Sequence, residues 1–251
     1  MRLAGGLGPL MLAAASALLT ALVFAPAAWV ADAAAAWTPL RLVAPEGTVW
    51  QGSASVALTG DAAAAPILLP GRLHWRVSPE WSAAWPLSLQ LAHPAADQGV
   101  RLGIGPAGGS VADGRLRLPA AWLEAWGTPF NTVRPGGELH LSWTGLGWSG
   151  STLAGRATVD WRSARSVLAP GAVLGDYRLE LEARGDAAEA RVHTLAGALV
   201  LEGTARLRQS VLAFSGEAAV APEARERLGV LLGVLGTRNG DKVTMRWELK
   251  L

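Results

Sequence analysis

The sequence contains no cysteine, and this absence removes several kinds of site at once. Without a thiol, the chain can hold no disulfide bond, no thiolate metal site and no cysteine nucleophile. Charge is also sparse, because aspartate, glutamate, lysine and arginine together make up only 17% of the residues. The formal net charge is +2, and the bases form no run of the kind that binds nucleic acids. We therefore expect no nucleic-acid partner.

Tyrosine and phenylalanine are scarce as well, with one and three residues, whereas tryptophan occurs 12 times. Hydrophobic residues nevertheless account for 51% of the chain. This share is enough to build a core and is not typical of an intrinsically disordered protein. The residues that follow the N-terminal segment suffice for one large β domain or two small ones.

The N-terminal segment has no charged residue between positions 3 and 31. Because a helix needs about 20 apolar residues to cross a bilayer, we predict a transmembrane anchor and its flank in residues 1–36. Pro26 lies near the predicted exit from the bilayer, where a break in the helix is tolerated. A cleaved signal peptide is the alternative, since Ala31-Asp32-Ala33 resembles a cleavage site. In both cases the rest of the chain is exported.

After residue 36 the sequence changes to short segments in which apolar and polar residues alternate. Leu73, Trp75 and Val77, for example, lie on one face of a predicted strand and His74 on the other. Turn signals such as Pro70-Gly71 separate these segments. The close spacing favours antiparallel pairing, so we predict a mainly β fold with a large, curved, predominantly antiparallel sheet. The pattern predicts about eleven strands, at residues 49–58, 72–77, 87–91, 100–104, 115–118, 139–143, 157–161, 177–183, 199–207, 211–215 and 243–251.

Two segments interrupt the alternation and predict one or two short helices packed on the sheet. Residues 119–127 begin with proline and end with glycine, as helix termini often do. Residues 222–235 carry leucines at helical spacing, which predicts one apolar stripe that faces the sheet. The stripe consists of Leu228, Leu231, Leu232 and Leu235.

Two short motifs occur twice in the exported part, residues 37–251. A Pro-Gly turn precedes a Leu-His pair at residues 70–74 and at residues 135–140, and a Trp-x-Gly-Ser turn occurs at positions 50 and 148. The repetition predicts two related halves, residues 37–130 and 131–251. It leaves open whether the halves form one continuous sheet.

No arrangement of side chains indicates an enzyme. None of the four histidines has a partner at the spacing of a metal site, and no Gly-x-Ser-x-Gly motif occurs. Residues 103–108 imitate a Gly-x-Gly-x-x-Gly motif but open no helix of a βαβ unit. We therefore predict no catalytic, cofactor-binding or metal-binding residues and no cofactor. The histidines are His74, His93, His140 and His193.

Tryptophan supplies the candidate contact residues. Trp81 and Trp85 flank a short polar turn, and Trp37 follows the apolar segment. We interpret these three as contacts to a partner or to the membrane surface, with packing on the sheet as the alternative. Trp122 and Trp126 have the same spacing on a predicted helix, where packing is favoured.

Several motifs of the chain, in this order and at this spacing, resemble protein N of the type II secretion system. An anchor segment precedes them, and the similarity covers nearly the whole chain. The motifs are Gly47-Thr48-Val49-Trp50-Gln51-Gly52-Ser53, Leu69-Pro70-Gly71-Arg72-Leu73-His74-Trp75, Arg134-Pro135-Gly136-Gly137-Glu138-Leu139, Gly175-Asp176-Tyr177, Leu201-Glu202-Gly203-Thr204, Phe214-Ser215-Gly216-Glu217, Pro222-Glu223 and Leu231-Leu232-Gly233-Val234-Leu235-Gly236.

The resemblance implies an accessory inner-membrane component of this machinery, without enzymatic activity. Such a protein contributes to assembly of the platform that exports folded periplasmic proteins across the outer membrane of Gram-negative bacteria. It implies a single-pass inner-membrane protein with its C-terminal domain in the periplasm and other platform subunits as partners. Exposed strand edges, with residues 243–251 as one candidate, offer main-chain pairing to such partners.

A second, more remote similarity relates the architecture to AsmA-like periplasmic proteins. This similarity implies lipid binding or lipid handling as the alternative function. A sheet with one apolar face that a helix covers only in part would leave a groove for acyl chains.

Overall fold

The computed structural model describes residues 7–38, 40–58, 66–80, 86–127, 130–208, 211–239 and 242–250. Within these ranges the chain forms four α-helices, two short 3-10 helices and a sheet of fifteen strands. The α-helices are α1 Leu7–Val23, α2 Ala28–Trp37, α3 Phe130–Val133 and α4 Arg225–Leu235. The 3-10 helices are Ala120–Trp126 and Pro222–Ala224.

All strand pairs among the described residues are antiparallel, and most strands pair with their neighbours in the chain. The order across the sheet is β1 to β6, then β8 to β13, then β15 and β14, while β7 pairs with β8 beside β6. The strands are β1 Leu40–Gly47, β2 Gln51–Leu58, β3 Ile67–Pro79, β4 Leu87–Ala92, β5 Val100–Gly105, β6 Gly108–Val111, β7 Gly114–Pro119, β8 Pro135–Ser149, β9 Thr152–Ser166, β10 Gly175–Gly185, β11 Ala187–Gly197, β12 Leu199–Arg208, β13 Val211–Val220, β14 Thr237–Asn239 and β15 Lys242–Lys250.

The prediction of a mainly β fold with a large antiparallel sheet is confirmed, but the predicted number of strands is wrong. Each of the eleven predicted segments overlaps a strand, and the described residues contain four strands more: β1, β6, β11 and β14. Ala44 and Pro45 interrupt the alternation of β1, and two glycines open β6. β11 is rich in alanine, and β14 has three residues. Such segments give little period-two signal.

The two predicted halves share one sheet. β6 and β7, which precede residue 131, both pair with β8, which follows it. They occupy successive parts of the same edge of β8, since β7 pairs with residues 138–143 and β6 with residues 146–149. The question that the repeated motifs left open is thereby answered in favour of a continuous sheet.

The prediction of a transmembrane helix is not borne out and is corrected here. Among the residues that the structure describes, no helix combines the length and the apolar character needed to cross a membrane. The uncharged segment instead forms α1 and α2, with a break at Pro26, which has no N–H to continue a helix. The backbone at the break pairs with the sheet: Ala27 donates to the Gly47 carbonyl (3.1 Å), and Val49 donates to the Ala25 carbonyl (2.9 Å).

The larger hydrophobic core lies where α4 packs on the last strands. Leu228 and Leu231 of α4 are each 1% exposed, and Leu232 packs against the same core. They meet Tyr177 of β10 and Val243 of β15, which are also buried. This arrangement confirms the predicted helix and the orientation of Leu228, Leu231 and Leu232 in its stripe, whereas the side chain of Leu235 lies outside the described part of the structure.

A smaller core lies at the other end of the sheet, under α2. Ala27, Ala54 and Trp75 are buried there, with Val30 of α2 and Leu42 of β1 packed against them. The N-terminal segment is therefore attached to the sheet by side chains as well as by backbone pairing.

Candidate interaction surfaces

One face of the central strands carries apolar rows. Residues directly opposite each other on neighbouring strands form each row, and their side chains are half-buried. No described helix makes an extensive contact with β9, β10 or β11, because α4 packs on β13 to β15 and the 3-10 helix 120–126 packs on β8. Part of the apolar face thus lacks a helical cover. One row consists of Leu141, Val159, Leu179 and Val192, and we call it the apolar row.

The opposite face is polar and carries a chain of ion pairs. Asp160 of β9 accepts hydrogen bonds from Arg178 Nε (2.6 Å) and from Arg162 (3.0 Å). The guanidinium of Arg178 and, beside it, that of Arg162 hold the pKa of Asp160 below its ordinary value, although burial opposes this. Asp160 and Arg178 are direct cross-strand partners, so the pair also fixes the register of β9 and β10.

Other bases on this face have acids beside them. Arg117 binds Asp97 (2.8 Å), and Lys242 binds Glu217 (2.8 Å). Hydrogen bonds from Arg184 and then Arg156 lower the pKa of Glu182. These pairs are exposed and individually weak. Collectively they neutralise much of the polar face from β7 onward.

The polar face of β2 to β5 differs, because Arg76 and Arg101 on it are not neutralised by an acid of the described residues. Gln51, Arg76, Gln90 and Arg101 are successive cross-strand partners, and with His74 they line a concavity of about 470 Å³. We call this the cationic cleft. Among the described residues that line it there is no acid, and neither arginine forms an ion pair within the part of the chain that the structure describes. No local sequence pattern predicts this cleft, since only the strand register brings the four residues into one row.

The predicted absence of a histidine metal site remains a prediction. His74 and His140 are far apart, because β4, β5 and β6 separate β3 from β8 in the sheet. His140 instead contacts Glu138 (3.2 Å). Nδ1 of His93 accepts a bond from the Ala95 N–H, and its buried Nε2 has no partner among the described residues. Burial, and then the charge of His74, lower the pKa of His93.

The predicted contact tryptophans are not tested by this structure. Trp81 and Trp85 lie outside the described residues, and Trp37 is the last residue of α2. Their role in partner or membrane contacts therefore stays a prediction. Trp122 is half-buried in its 3-10 helix, in keeping with a packing role.

The described part of α1 has an exposed apolar surface. Its end is fixed to the sheet, because Trp50 donates from Nε1 to the carbonyl of Leu22 (2.8 Å). Beyond this junction, large apolar side chains face outward along the helix. The exposed apolar residues are Met11, Leu12, Leu18, Leu19, Leu22 and Val23 of α1, and Phe24 directly after it.

The two edges of the sheet differ in their capacity for further pairing. At one edge, β1 has a register shift between Val43 and Glu46, with Pro45 in the interval, and such irregularities oppose strand addition. At the other edge, β14 pairs with only the first three residues of β15, Lys242 to Thr244. The predicted candidate edge at residues 243–251 is therefore wrong for its first two residues. From Met245 onward, the described residues place no strand beside this side of β15.

Comparison with known proteins identifies the family. The family described as "Type II secretion system (T2SS), protein N" matches residues 38–245, which include the whole sheet except its last residues. No curated protein and no solved structure matches the chain. The match covers most of the chain and agrees with the resemblance noted in its motifs. The chain therefore belongs to the protein N family of the type II secretion system.

Proposed function

We propose that the protein is an accessory component of the inner-membrane platform of the type II secretion machinery and that it acts through surfaces, not through catalysis. The observation that supports this role is the family match over residues 38–245. The sheet offers a long polar face, an apolar face and one edge with room for a further strand. Each of these is a docking surface for other platform subunits.

The proposed site of pairing with a partner is the edge of β15 from Met245 to Lys250. Backbone N–H and C=O groups along an unpaired edge form hydrogen bonds with an added strand, and this contact needs no particular side chain on the partner. The irregular edge at β1 is a poorer acceptor. Recruitment therefore takes place at the end of the sheet where α4 packs.

The proposed location is the periplasmic side of the inner membrane, with attachment through the exposed apolar side chains of α1. Each apolar side chain that enters lipid contributes favourable transfer free energy. Attachment to one plane raises the effective concentration of the sheet near other membrane subunits. The bond from Trp50 to Leu22 would keep the sheet in a fixed orientation relative to α1. Protease treatment of spheroplasts should degrade the sheet, and treatment of intact cells should leave it whole.

A single introduced thiol tests the pairing edge, because the natural chain has no cysteine. Glu248→Cys places a thiol on the exposed part of β15, and Arg191→Cys, exposed on central β11, is the matched control. A thiol-specific crosslinker applied to membranes should join the Glu248→Cys variant to a platform subunit, with little product from the control. Equal products from both variants, or no product with any secretion subunit, would contradict the proposal.

Lipid handling is the second candidate function, and the apolar row is the observation that favours it. The side chains of Val159 and Leu179 are half-buried although no described helix lies extensively on β9 or β10. Acyl chains are ligands of suitable chemistry for such a face. Native mass spectrometry of protein purified without detergent should find bound phospholipid. Leu179→Gln should reduce this lipid, whereas Glu180→Gln on the opposite face should not; lipid-free wild-type protein would contradict the idea.

A further inference from the structure

The charges of the polar face are distributed unequally. From β7 to β15 several arginines and a lysine lie within 3.5 Å of an acid, as Arg178 does with Asp160. In the cationic cleft, Arg76 and Arg101 are exposed and have no such acid among the described residues. Two like charges on one sheet face repel each other, which costs electrostatic free energy. An anionic partner would remove this repulsion.

The dimensions of the cleft indicate the shape of that partner. Arg76 on β3 and Arg101 on β5 are separated by β4, so their backbones lie about 9 to 10 Å apart. In an extended polyproline-type segment, side chains three residues apart point the same way at about 9 Å. Two acids at this spacing match the two arginines.

The remaining side chains also suit a peptide. Gln90 lies between the two arginines in the row, and Gln51 lies on the far side of Arg76. Each amide both donates and accepts hydrogen bonds, as a peptide backbone requires of its binding surface. The cleft is therefore equipped for main-chain amides between two carboxylates.

We propose that the cationic cleft binds an extended acidic segment of a partner protein, with carboxylates about three residues apart facing Arg76 and Arg101. This inference deepens the proposed function and rests on it for the nature of the partner, a subunit of the same machinery. Gln51 directly follows Trp50, whose indole bonds to the end of α1. The partner segment would thus approach the sheet at the end where α1 is attached.

A binding experiment with the full chain tests the proposal. The probe is a fluorescent peptide with glutamate at every third position and serine and proline between, and the matched peptide has glutamine in place of glutamate. Fluorescence anisotropy should detect binding of the acidic peptide but not of the glutamine peptide. The affinity for the acidic peptide should fall as added salt screens the charges. Arg76→Glu combined with Arg101→Glu should weaken binding at least about tenfold.

The control variant carries the same change of charge elsewhere. Arg165→Glu combined with Arg191→Glu alters two exposed arginines outside the cleft and should leave binding close to that of wild type. The Arg76→Gln and Arg101→Gln variants should also lose peptide binding, without a reversal of charge. Thermal unfolding checks that these variants remain folded. Equal weakening by the control pair, or equal binding of the glutamine peptide, would overturn the proposal.

Inorganic phosphate distinguishes a peptide site from a small-anion site. Competition by phosphate no stronger than that of chloride at equal ionic strength supports the peptide; displacement at much lower phosphate concentrations overturns it. Failure of the proposed function gives a different pattern. If the Glu248→Cys crosslink is absent while the cleft still binds the acidic peptide, the proposed secretion role is contradicted and the proposed peptide site is still supported.

Discussion

The indole ring of Trp75 lies directly over Gly52, its cross-strand partner. A Cβ atom added to Gly52 would lie 2.4 Å from Cζ2 of that ring, so only glycine fits beneath it. Trp75 Nε1 donates to the carbonyl of Thr48 (3.1 Å), which holds the ring in this position. The same relationship recurs farther along the sheet. The two other pairs are Trp148 with Gly109 and Trp143 with Gly114.

Replacing this glycine should destabilise the sheet. Gly52→Ala forces the buried ring of Trp75 to move, and overpacking of this kind costs about 1–3 kcal/mol of unfolding free energy. Gly229→Ala is the matched control, because its added Cβ has open space and alanine is the better helix former. Urea unfolding should give a lower midpoint for the first variant and an equal or higher midpoint for the second.

Truncating side chains of α4 should lower the free energy of unfolding only on the buried side of the helix. Leu231→Ala removes a side chain that is 1% exposed and should lower the unfolding free energy by about 2–5 kcal/mol. Val230→Ala, next to it but 67% exposed, should change stability by about 0.5 kcal/mol or less. Similar losses in thermal unfolding for both variants would contradict the described orientation of α4.

The Asp160 carboxylate should stabilise the sheet in a pH-dependent manner. Asp160→Asn removes the charge that Arg178 and Arg162 bind, which should cost about 1–2 kcal/mol at neutral pH. Since the pKa of Asp160 is lowered in the folded state, its contribution is complete above the ordinary value of about 3.9 and disappears as pH falls through the lowered pKa.

Urea unfolding at a series of pH values measures this difference. The curves of wild type and Asp160→Asn should differ at pH 7 and converge as pH falls through the lowered pKa of Asp160. Asp186→Asn, at an exposed turn without an ion pair among the described residues, should follow wild type throughout. A gap between wild type and Asp160→Asn that stays constant down to the lowest pH would contradict the ionic explanation.

A second glycine tests the register shift between β8 and β9. Gly155 has φ +122°, and an added Cβ would lie 2.6 Å from the carbonyl oxygen of Gly145. Gly155→Ala should therefore lower the unfolding free energy by about 2 kcal/mol or more. Gly185→Ala, with φ +71° and open space around it, carries only the cost of a left-handed backbone, about 1 kcal/mol. Equal losses in urea unfolding would show that crowding at Gly155 is unimportant.

The sequence predicted those parts of the fold that have strong local periodicity. The strand with Leu73, Trp75 and Val77 and the leucine stripe of α4 are examples, because alternation and helical spacing are set by nearby residues. β6 was not predicted, since Gly108 and Gly109 give no alternation. The break at Pro26 was placed correctly but interpreted as a membrane exit, because its pairing partner Thr48 lies distant in sequence.

The candidate surfaces were harder to predict from the sequence than the fold was. The cationic cleft depends on the register of four strands, and a shift by one residue would turn Arg76 to the other face. Ion pairs such as Arg117 with Asp97 join residues of different strands, so the sequence alone does not show which arginines are neutralised. The possibility of strand pairing near residues 243–251 was foreseen, but the cover supplied by β14 was not.

The order of the strands has a consequence for how the chain reaches its native state. Since most strands pair with the segment just before them, each new hairpin closes a short loop and adds to an edge that already exists. The sheet can thus grow stepwise from its N-terminal end while later residues are still emerging. Until α4 arrives, however, Tyr177 and Leu199 lack their cover, so a chain interrupted before residue 225 would expose an apolar surface to chaperones and proteases.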